Sequence, residues 1–535
     1  MKMGGMISPV FGPEPLSPLS YLDRSALVHE DRLAVIDDDR TMTYAELSDR
    51  CRRLSGALVD AGIEPGDRVS VLAPNTSAAL EAHFGVPGAG AVLNALNTRL
   101  SVDELTYIVA HAGSKLLICD HDLLEVGRAV TERLEAQGQH LTLVESGSRG
   151  SDYEQRVDAA RPHRVNTADE WGLLSLNYTS GTTGRPKGVM YSYRGAYLTA
   201  LANIAQTGLD PGAVFLWTLP MFHCNGWCYP WAVTGAGGTH VALREVRPDT
   251  IWAAIRERGV THFNAAPTVL TMLADHPDAA PATDAVRVAT GGAPPSPSLL
   301  ARLAELNIAV THLYGLTETY GPSVLCDWRP EWNDLEPEAQ AARKARQGVA
   351  NIVGVPLRVI DDRGADVPHD GETRGEVALR GNNVMLGYYR DEEATRQATV
   401  DGPGGAWFRT GDVGVIHPDH YLELRDRAKD IIISGGENIA SIEVEQVIDS
   451  HPAVLESAVV GAPDHTWGEV PVAFVALRDG SVADEDSIIE FVKSRIARFK
   501  APKRVEFGDL PKTSTGKIQK FRLRERLAER EAAEG

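Results

Sequence analysis

Residues 178–188, YTSGTTGRPKG, concentrate groups that can hold an anion. Thr179, Ser180, Gly181, Thr182 and Thr183 are hydroxylated or glycine, and Gly184, Arg185, Pro186 and Lys187 follow. Small residues let backbone N–H groups and hydroxyls close around a charged group, and Lys187 adds a cation beside it. Phosphate is the anion that suits such a loop. The preceding residues 173–178, LLSLNY, read as a short buried strand, so the loop leaves a strand end. It is not the P-loop, because no Gly-Lys-Ser/Thr closes a G-x-x-x-x-G-K-[ST] pattern.

Further segments carry residues with chemistry: GGAP at 291–294, HLYGLTE at 312–318, TGD at 410–412, RDRAKD at 425–430, SGGENI at 434–439 and PKTSTGKI at 511–518. With the glycine loop, and in this order, they resemble the signatures of the AMP-forming adenylating enzymes. That group includes acyl-CoA synthetases, the adenylation domains of peptide synthetases and firefly luciferase. The resemblance runs from about Thr43 to Ile518.

The resemblance implies a role for each matched residue. Thr179 to Lys187 would hold the β- and γ-phosphates of ATP, with Thr182 among the catalytic groups. Gly291, Gly292 and Ala293 would line the adenine and acyl pocket. His312, Tyr314, Gly315 and Thr317 belong to the nucleotide segment, where Tyr314 stacks on adenine and Thr317 contacts the α-phosphate. Glu318 would hold Mg²⁺; an aromatic face suits a base, and a hard divalent ion takes a carboxylate oxygen. Asp412 would accept both ribose hydroxyls, Arg427 would contact ribose and phosphate, and Lys429 marks a pivot between two domains. Lys517 falls on the catalytic lysine, whose ammonium would bridge the substrate carboxylate and the α-phosphate. Ser434, Gly435, Gly436 and Glu437 lie where acyl-CoA synthetases line the pantetheine tunnel.

The implied reaction is carboxylate activation. A carboxylate is a poor electrophile, and joining it to AMP supplies a leaving group; the nucleophile is already ionised, so no general base is needed. The acceptor is expected to be CoA, with a carrier protein as the alternative. Arg498, Lys500 and Lys503 could meet CoA phosphates or form a solvated basic face. A non-catalytic nucleotide-binding module would be expected to lack Glu318 or Lys517, and both are present.

For the acid, the informative stretch is MFHCNGW at 221–227. Amino-acid-activating relatives place an aspartate directly after the phenylalanine, where this chain has His223. Without that carboxylate an ammonium would be desolvated and unpaired, so amino acids are disfavoured. His223 and Trp227, with Gly315 and Leu316, suggest an aromatic-walled pocket for an apolar or aryl acid, although His223 and Trp227 could equally be core. The resemblance points to the medium- and long-chain branch. One departure is Tyr193, where many relatives carry histidine before the arginine.

The elements that must position these residues follow from pattern. Thr43 with Glu46 and Ser101 with Glu104 form capping boxes, and Leu47, Cys51, Leu54 and Leu58 fall on one helical face. Residues 68–73 and 115–119 read as strands, Asn75 as the turn into a helix, 145–170 as an irregular connection and 329–347 as an exposed helix. Strand and helix alternate, which predicts an α/β fold: a large N-terminal domain of parallel or mixed sheets covered by helices, residues 1–425. A small mobile α+β domain, residues 426–535, is expected beyond a hinge near Lys429, with a helix capped by Ser441 and a strand over 472–477.

The 535 residues exceed one core. The net charge of −20 argues against a nucleic-acid partner and against anionic membrane surfaces. No run of about 18 apolar residues predicts a membrane span, and the amino terminus lacks the apolar core of a signal peptide. Five scattered cysteines without CxxC fit a reducing cytoplasm, with Cys224 and Cys228 expected as buried thiols. The expected partners are a small carboxylic acid and CoA, and a homodimer is compatible with the composition.

Overall fold

The computed structural model describes residues 12 and 14–534, except 180–184, 292–294, 296, 428–429, 435–436, 465–466 and 514–517; the side chains of 297, 338, 427, 438 and 531–534 are also outside the description. Among the described residues the strands form four sheets. The first has six strands in the order Thr142–Ser146, Ser114–Asp120, Arg68–Leu72, Val92–Ala95, Leu173–Tyr178 and Gly188–Ser192. All but the last pair in parallel. The second has nine strands, with a parallel centre that includes His262–Ala265, Val286–Thr290 and Ile308–Leu316. Antiparallel strands Gly321–Leu325 and Val349–Ala350 close one edge. A five-stranded antiparallel sheet follows, ending with Leu422–Arg427 against Gly405–Ile416. The last sheet, also of five strands, holds Ile432–Ser434, Glu437–Ile439, Val454–Asp464, Gly468–Leu477 and Arg504–Phe507.

Local sequence explains most elements. Both capping boxes form, and Tyr44–Asp60 buries Leu47, Cys51, Leu54 and Leu58 as the spacing predicts. The helix Ser77–Gly88 follows the turn at Asn75, capped by Thr76, whose hydroxyl accepts the Ala79 N–H at 3.3 Å. The Asn75 amide donates to the Trp217 and Leu219 carbonyls at 2.7 and 3.0 Å and accepts the Met221 N–H at 2.7 Å, tying the two large sheets. Three expectations change. The 145–170 connection contains the helix Asp152–Ala159, capped by Ser151, which buries Tyr153 and Val157. Two short helices, Pro330–Asp334 and Pro337–Lys344, replace the single exposed helix, because Trp332 is buried with Tyr421 and Cys326. Finally, Ala440 occupies the cap position of Ser441–Asp449 without a side-chain bond. The Ser441 N–H is accepted by the Asp426 carboxylate from the preceding sheet, and the Ser441 hydroxyl receives the Lys520 ammonium.

The interior of the large domain holds imidazoles that must stay neutral. His240 Nδ1 accepts the Trp217 indole N–H at 3.1 Å, so its proton sits on Nε2, facing the Thr234 hydroxyl at 3.0 Å. Burial pushes His240 down to about 3, and His83 and His312 down to about 4. The unfolded chain takes up these protons near 6.5 and the folded chain does not, so the stability they contribute is complete above that pH and is lost as pH falls toward 4. The midpoint of thermal unfolding is expected to fall across this window, and His240→Gln to reduce the slope by about one proton.

Candidate active site

In an open α/β sheet, ligands sit beyond the carboxyl ends of the strands. Leu173–Tyr178 ends at Thr179, whose N–H donates to the Lys187 carbonyl at 3.0 Å, and Tyr178 pairs with Gly188 on the antiparallel return. The turn is therefore anchored at both ends; Ser180, Gly181, Thr182, Thr183 and Gly184 lie outside the described residues. The Lys187 ammonium lies 4.9 Å from the centroid of the Tyr388 ring. The Tyr388 hydroxyl in turn donates to Glu318 Oε1 at 2.7 Å. Burial, then the Glu318 charge, pushes the Tyr388 phenol far above its ordinary range, so it remains a donor. Glu318 is itself buried, and its carbonyl accepts the Met385 N–H at 2.8 Å.

The strand Ile308–Leu316 delivers the segment that resembles the family's nucleotide contacts. The Tyr314 hydroxyl donates to Asp412 Oδ2 at 2.7 Å, joining residues nearly a hundred positions apart, and both are buried. Asp412 pairs across the sheet with Arg427, whose backbone is described and whose side chain is not. Thr317 is held twice: the Tyr191 hydroxyl donates to its carbonyl at 2.6 Å, and Cys224 Sγ lies 3.4 Å from its hydroxyl. Gly315 admits no side chain, because a Cβ there would stand 1.9 Å from the Gly321 carbonyl oxygen. Leu316 is half-buried beside them. His312 is buried, with Nδ1 3.0 Å from the Ala345 and Arg346 carbonyls.

The acyl-pocket candidates sit on an unusual backbone. Cys224, Asn225, Gly226, Trp227 and Cys228 have φ of 48°, 45°, 54°, 54° and 64°, a full left-handed turn. For L-residues this conformation costs roughly 1–2 kcal/mol each, so it persists only where neighbours hold it. Here Asn203 donates to the Trp227 carbonyl at 2.8 Å and the Cys228 N–H to the Asn225 carbonyl at 3.0 Å. His223 precedes the turn, half-buried, with Nε2 at 3.7 Å from Cys224 Sγ. The turn lays the Trp227 indole across the strand ends: a Cβ on Gly291 would meet its Cη2 at 3.3 Å, and one on Gly321 its Cδ1 at 2.6 Å. Gly292 and Ala293 lie outside the described residues. All five cysteines are free and buried, Cys224 and Cys228 included.

On the C-terminal unit, Ile432–Ser434 and Glu437–Ile439 form a hairpin, and Ser434 pairs with Gly468. Gly435, Gly436, Lys429 and Lys517 are outside the described residues. The flanks of the Lys517 segment are pinned by the bridge between Lys512 and Ile518 and by the Gln519 N–H on the Pro511 carbonyl at 2.7 Å. Lys500 is paired with Glu443 at 2.6 Å.

These features coincide with an established family. Residues 22–389 match the AMP-binding enzyme model and residues 443–517 the AMP-binding enzyme C-terminal domain model. The chain belongs to the AMP-binding enzyme family. It is 44% identical over 543 residues to the acetate/butyrate–CoA ligase AAE7, peroxisomal, of Arabidopsis thaliana, covering 96% of this chain and 95% of that one. It is also 44% identical to the 2-methylpropanoate–CoA ligase CCL4 of Humulus lupulus, with the same coverage. Among solved structures, ATP-bound MatB from Rhodopseudomonas palustris superposes with a TM-score of 0.83 at 29% identity, covering 95% of this chain and 98% of that one. The chain is an AMP-forming acid–CoA ligase: it converts a carboxylic acid and ATP to acyl-AMP and pyrophosphate, then transfers the acyl group to CoA. Its relatives support CoA as acceptor rather than a carrier protein. Among the described residues no helix is long and apolar enough to cross a membrane.

Tyr388, Tyr191 and Asn225 were not singled out by sequence reasoning. Tyr388 lies in GYYR, which has no spacing signal of its own. Two outcomes are expected from ATP–pyrophosphate exchange. Tyr388→Phe removes a hydrogen bond to a charged group, worth about 1.5–3 kcal/mol, and lowers exchange roughly 10- to 100-fold. Gly315→Ala forces two backbones apart and abolishes it.

Proposed function

We propose that this ligase activates short-chain carboxylic acids, in place of the medium- or long-chain or aryl acids that the motif resemblance implies. The observation that carries this reading is the Trp227 indole, wedged against Gly291 and Gly321 at the ends of the second sheet. An indole there occupies the volume that a longer chain would enter. The relatives named for acetate, butyrate and 2-methylpropanoate support the same reading. Trp227 sits in an apolar cluster, and His223 stands where amino-acid-activating relatives place an aspartate for the substrate ammonium.

In this reading Thr179 to Lys187 hold the ATP phosphates, Tyr314 and Asp412 position the nucleoside, and Thr317 and Lys517 orient the reacting carboxylate and α-phosphate. The carboxylate oxygen attacks the α-phosphorus, the bond to the bridging oxygen of pyrophosphate breaks, and pyrophosphate departs with that electron pair. The CoA thiolate then attacks the acyl carbonyl and AMP leaves. Glu318, a buried carboxylate fixed by the Tyr388 phenol, over whose ring the Lys187 ammonium lies, offers the hard oxygen that Mg²⁺ takes. When bound there, Mg²⁺ would neutralise phosphate charge. Residues 426–535 act as the mobile domain, with the pivot near Lys429. A cytoplasmic setting is supported by the five free thiols.

Two measurements test this. Mass spectrometry of acyl-CoA formed from a series of two- to ten-carbon acids is expected to show turnover concentrated below six carbons; Trp227→Gly should move the optimum to longer acids, each methylene contributing about 1–3 kcal/mol. Turnover favouring the long acids in the native enzyme would refute the short-acid reading. Lys517→Ala is expected to slow adenylation about 10²–10³-fold while leaving thioester formation from supplied acyl-AMP near the native rate.

A further inference from the structure

We propose that Asn225 is a positioning residue for acyl-chain selectivity: it locks the left-handed turn that carries Trp227 to the strand that leads into the phosphate-binding segment. The inference rests on the reading of Trp227 as the wall of a short pocket. Asn225 is fully buried. Its Oδ1 accepts the Ser175 hydroxyl at 2.5 Å and the Asn177 amide at 2.6 Å, while its backbone N–H donates to Asn177 Oδ1 at 2.9 Å. Its Nδ2 lies 3.4 Å from His83 Nε2, on the helix Ser77–Gly88.

Asn177 therefore grips one residue at two points, backbone and side chain. Ser175 and Asn177 share a face of Leu173–Tyr178, two residues apart, and that strand runs directly into Thr179. Among the described residues, Asn225 is the position of the turn held by three hydrogen bonds to one strand. Gly226 packs against the Trp217 ring and its carbonyl faces the Cys228 N–H of the same turn, while the Trp227 carbonyl receives the Asn203 amide. The indole's location thus follows from a turn whose strained backbone is referenced, through Asn225, to the strand that sets the phosphates. Carboxylate and α-phosphate must meet within reacting distance, so the same lock couples the depth of the acyl pocket to the place of the nucleotide.

The test compares kcat/KM for hexanoate with that for acetate in Asn225→Gly, Trp227→Gly and the double variant. Glycine adopts the left-handed conformation without strain, so Asn225→Gly removes the lock and spares the backbone. The hexanoate-to-acetate ratio is expected to rise about tenfold or more in Asn225→Gly, with the acetate KM raised and the ATP KM unchanged. In the Trp227→Gly background, Asn225→Gly should change the ratio no further. Equal loss for every acid, a shifted ATP KM without a change in ratio, or full additivity in the double variant would overturn the proposal. If Trp227→Gly leaves the ratio unchanged, the short-pocket reading itself fails; if Trp227→Gly shifts it and Asn225→Gly does not, only the present inference fails. Should Asn225→Gly not fold, Ser175→Ala, which deletes one of the three bonds and keeps the turn's own residues, is read by the same ratio and decides the matter.

Discussion

Parallel pairing aligns strand ends, and the site depends on that alignment. Val286–Thr290 and Ile308–Leu316 run together with Thr290 opposite His312, so Gly291 emerges beside Leu313 and the nucleotide segment. In the other sheet Leu173–Tyr178 is the last parallel strand before the antiparallel return, and its end supplies Thr179. Asn75 then binds one sheet to the other through an amide that satisfies buried backbone groups, and the Asn177 amide binds the turn to its strand through the backbone N–H and side chain of Asn225. A buried amide left unpaired would be costly, so these residues define the relative placement of the sheets as well as filling space.

Close backbone approach is the second constraint. Gly315 and Gly321 face one another where a Cβ cannot stand, and the Trp227 indole lies against Gly321. The indole is thereby a large rigid side chain held against backbone, a surface that resists deformation. The left-handed turn from Cys224 to Cys228 is the means by which the chain brings the indole there, and its strain is balanced by hydrogen bonds to Asn177, Ser175 and Asn203.

An ion pair crosses from the C-terminal unit to the large domain: Arg478 reaches Asp275 at 2.6 Å. Within residues 426–535, Asp426 receives the Ser441 N–H and Arg524 pairs with Asp430. A charged contact at a partly exposed position, such as that of Arg478 with Asp275, costs little to break.

The sequence by itself determined the family and the α/β alternation and named the candidate polar residues of the site, because anion-binding loops, capping boxes and buried strands depend on local residue types. It located Leu173–Tyr178, both capped helices and the Glu318, Asp412 and Tyr314 segments. It misplaced what depends on distant partners. Ser441 looked like a cap and is capped by Asp426 from another sheet; the inter-sheet tie that Asn75 makes from its turn, and the support that His312 gives the Ala345 and Arg346 carbonyls, went unread. Only the tertiary structure decided that Tyr388 meets Glu318, that Tyr314 meets Asp412 and that Trp227 crosses the strand ends. Those contacts join residues far apart in the chain, and no local propensity encodes which polar atom a fold will bring within three ångströms of another.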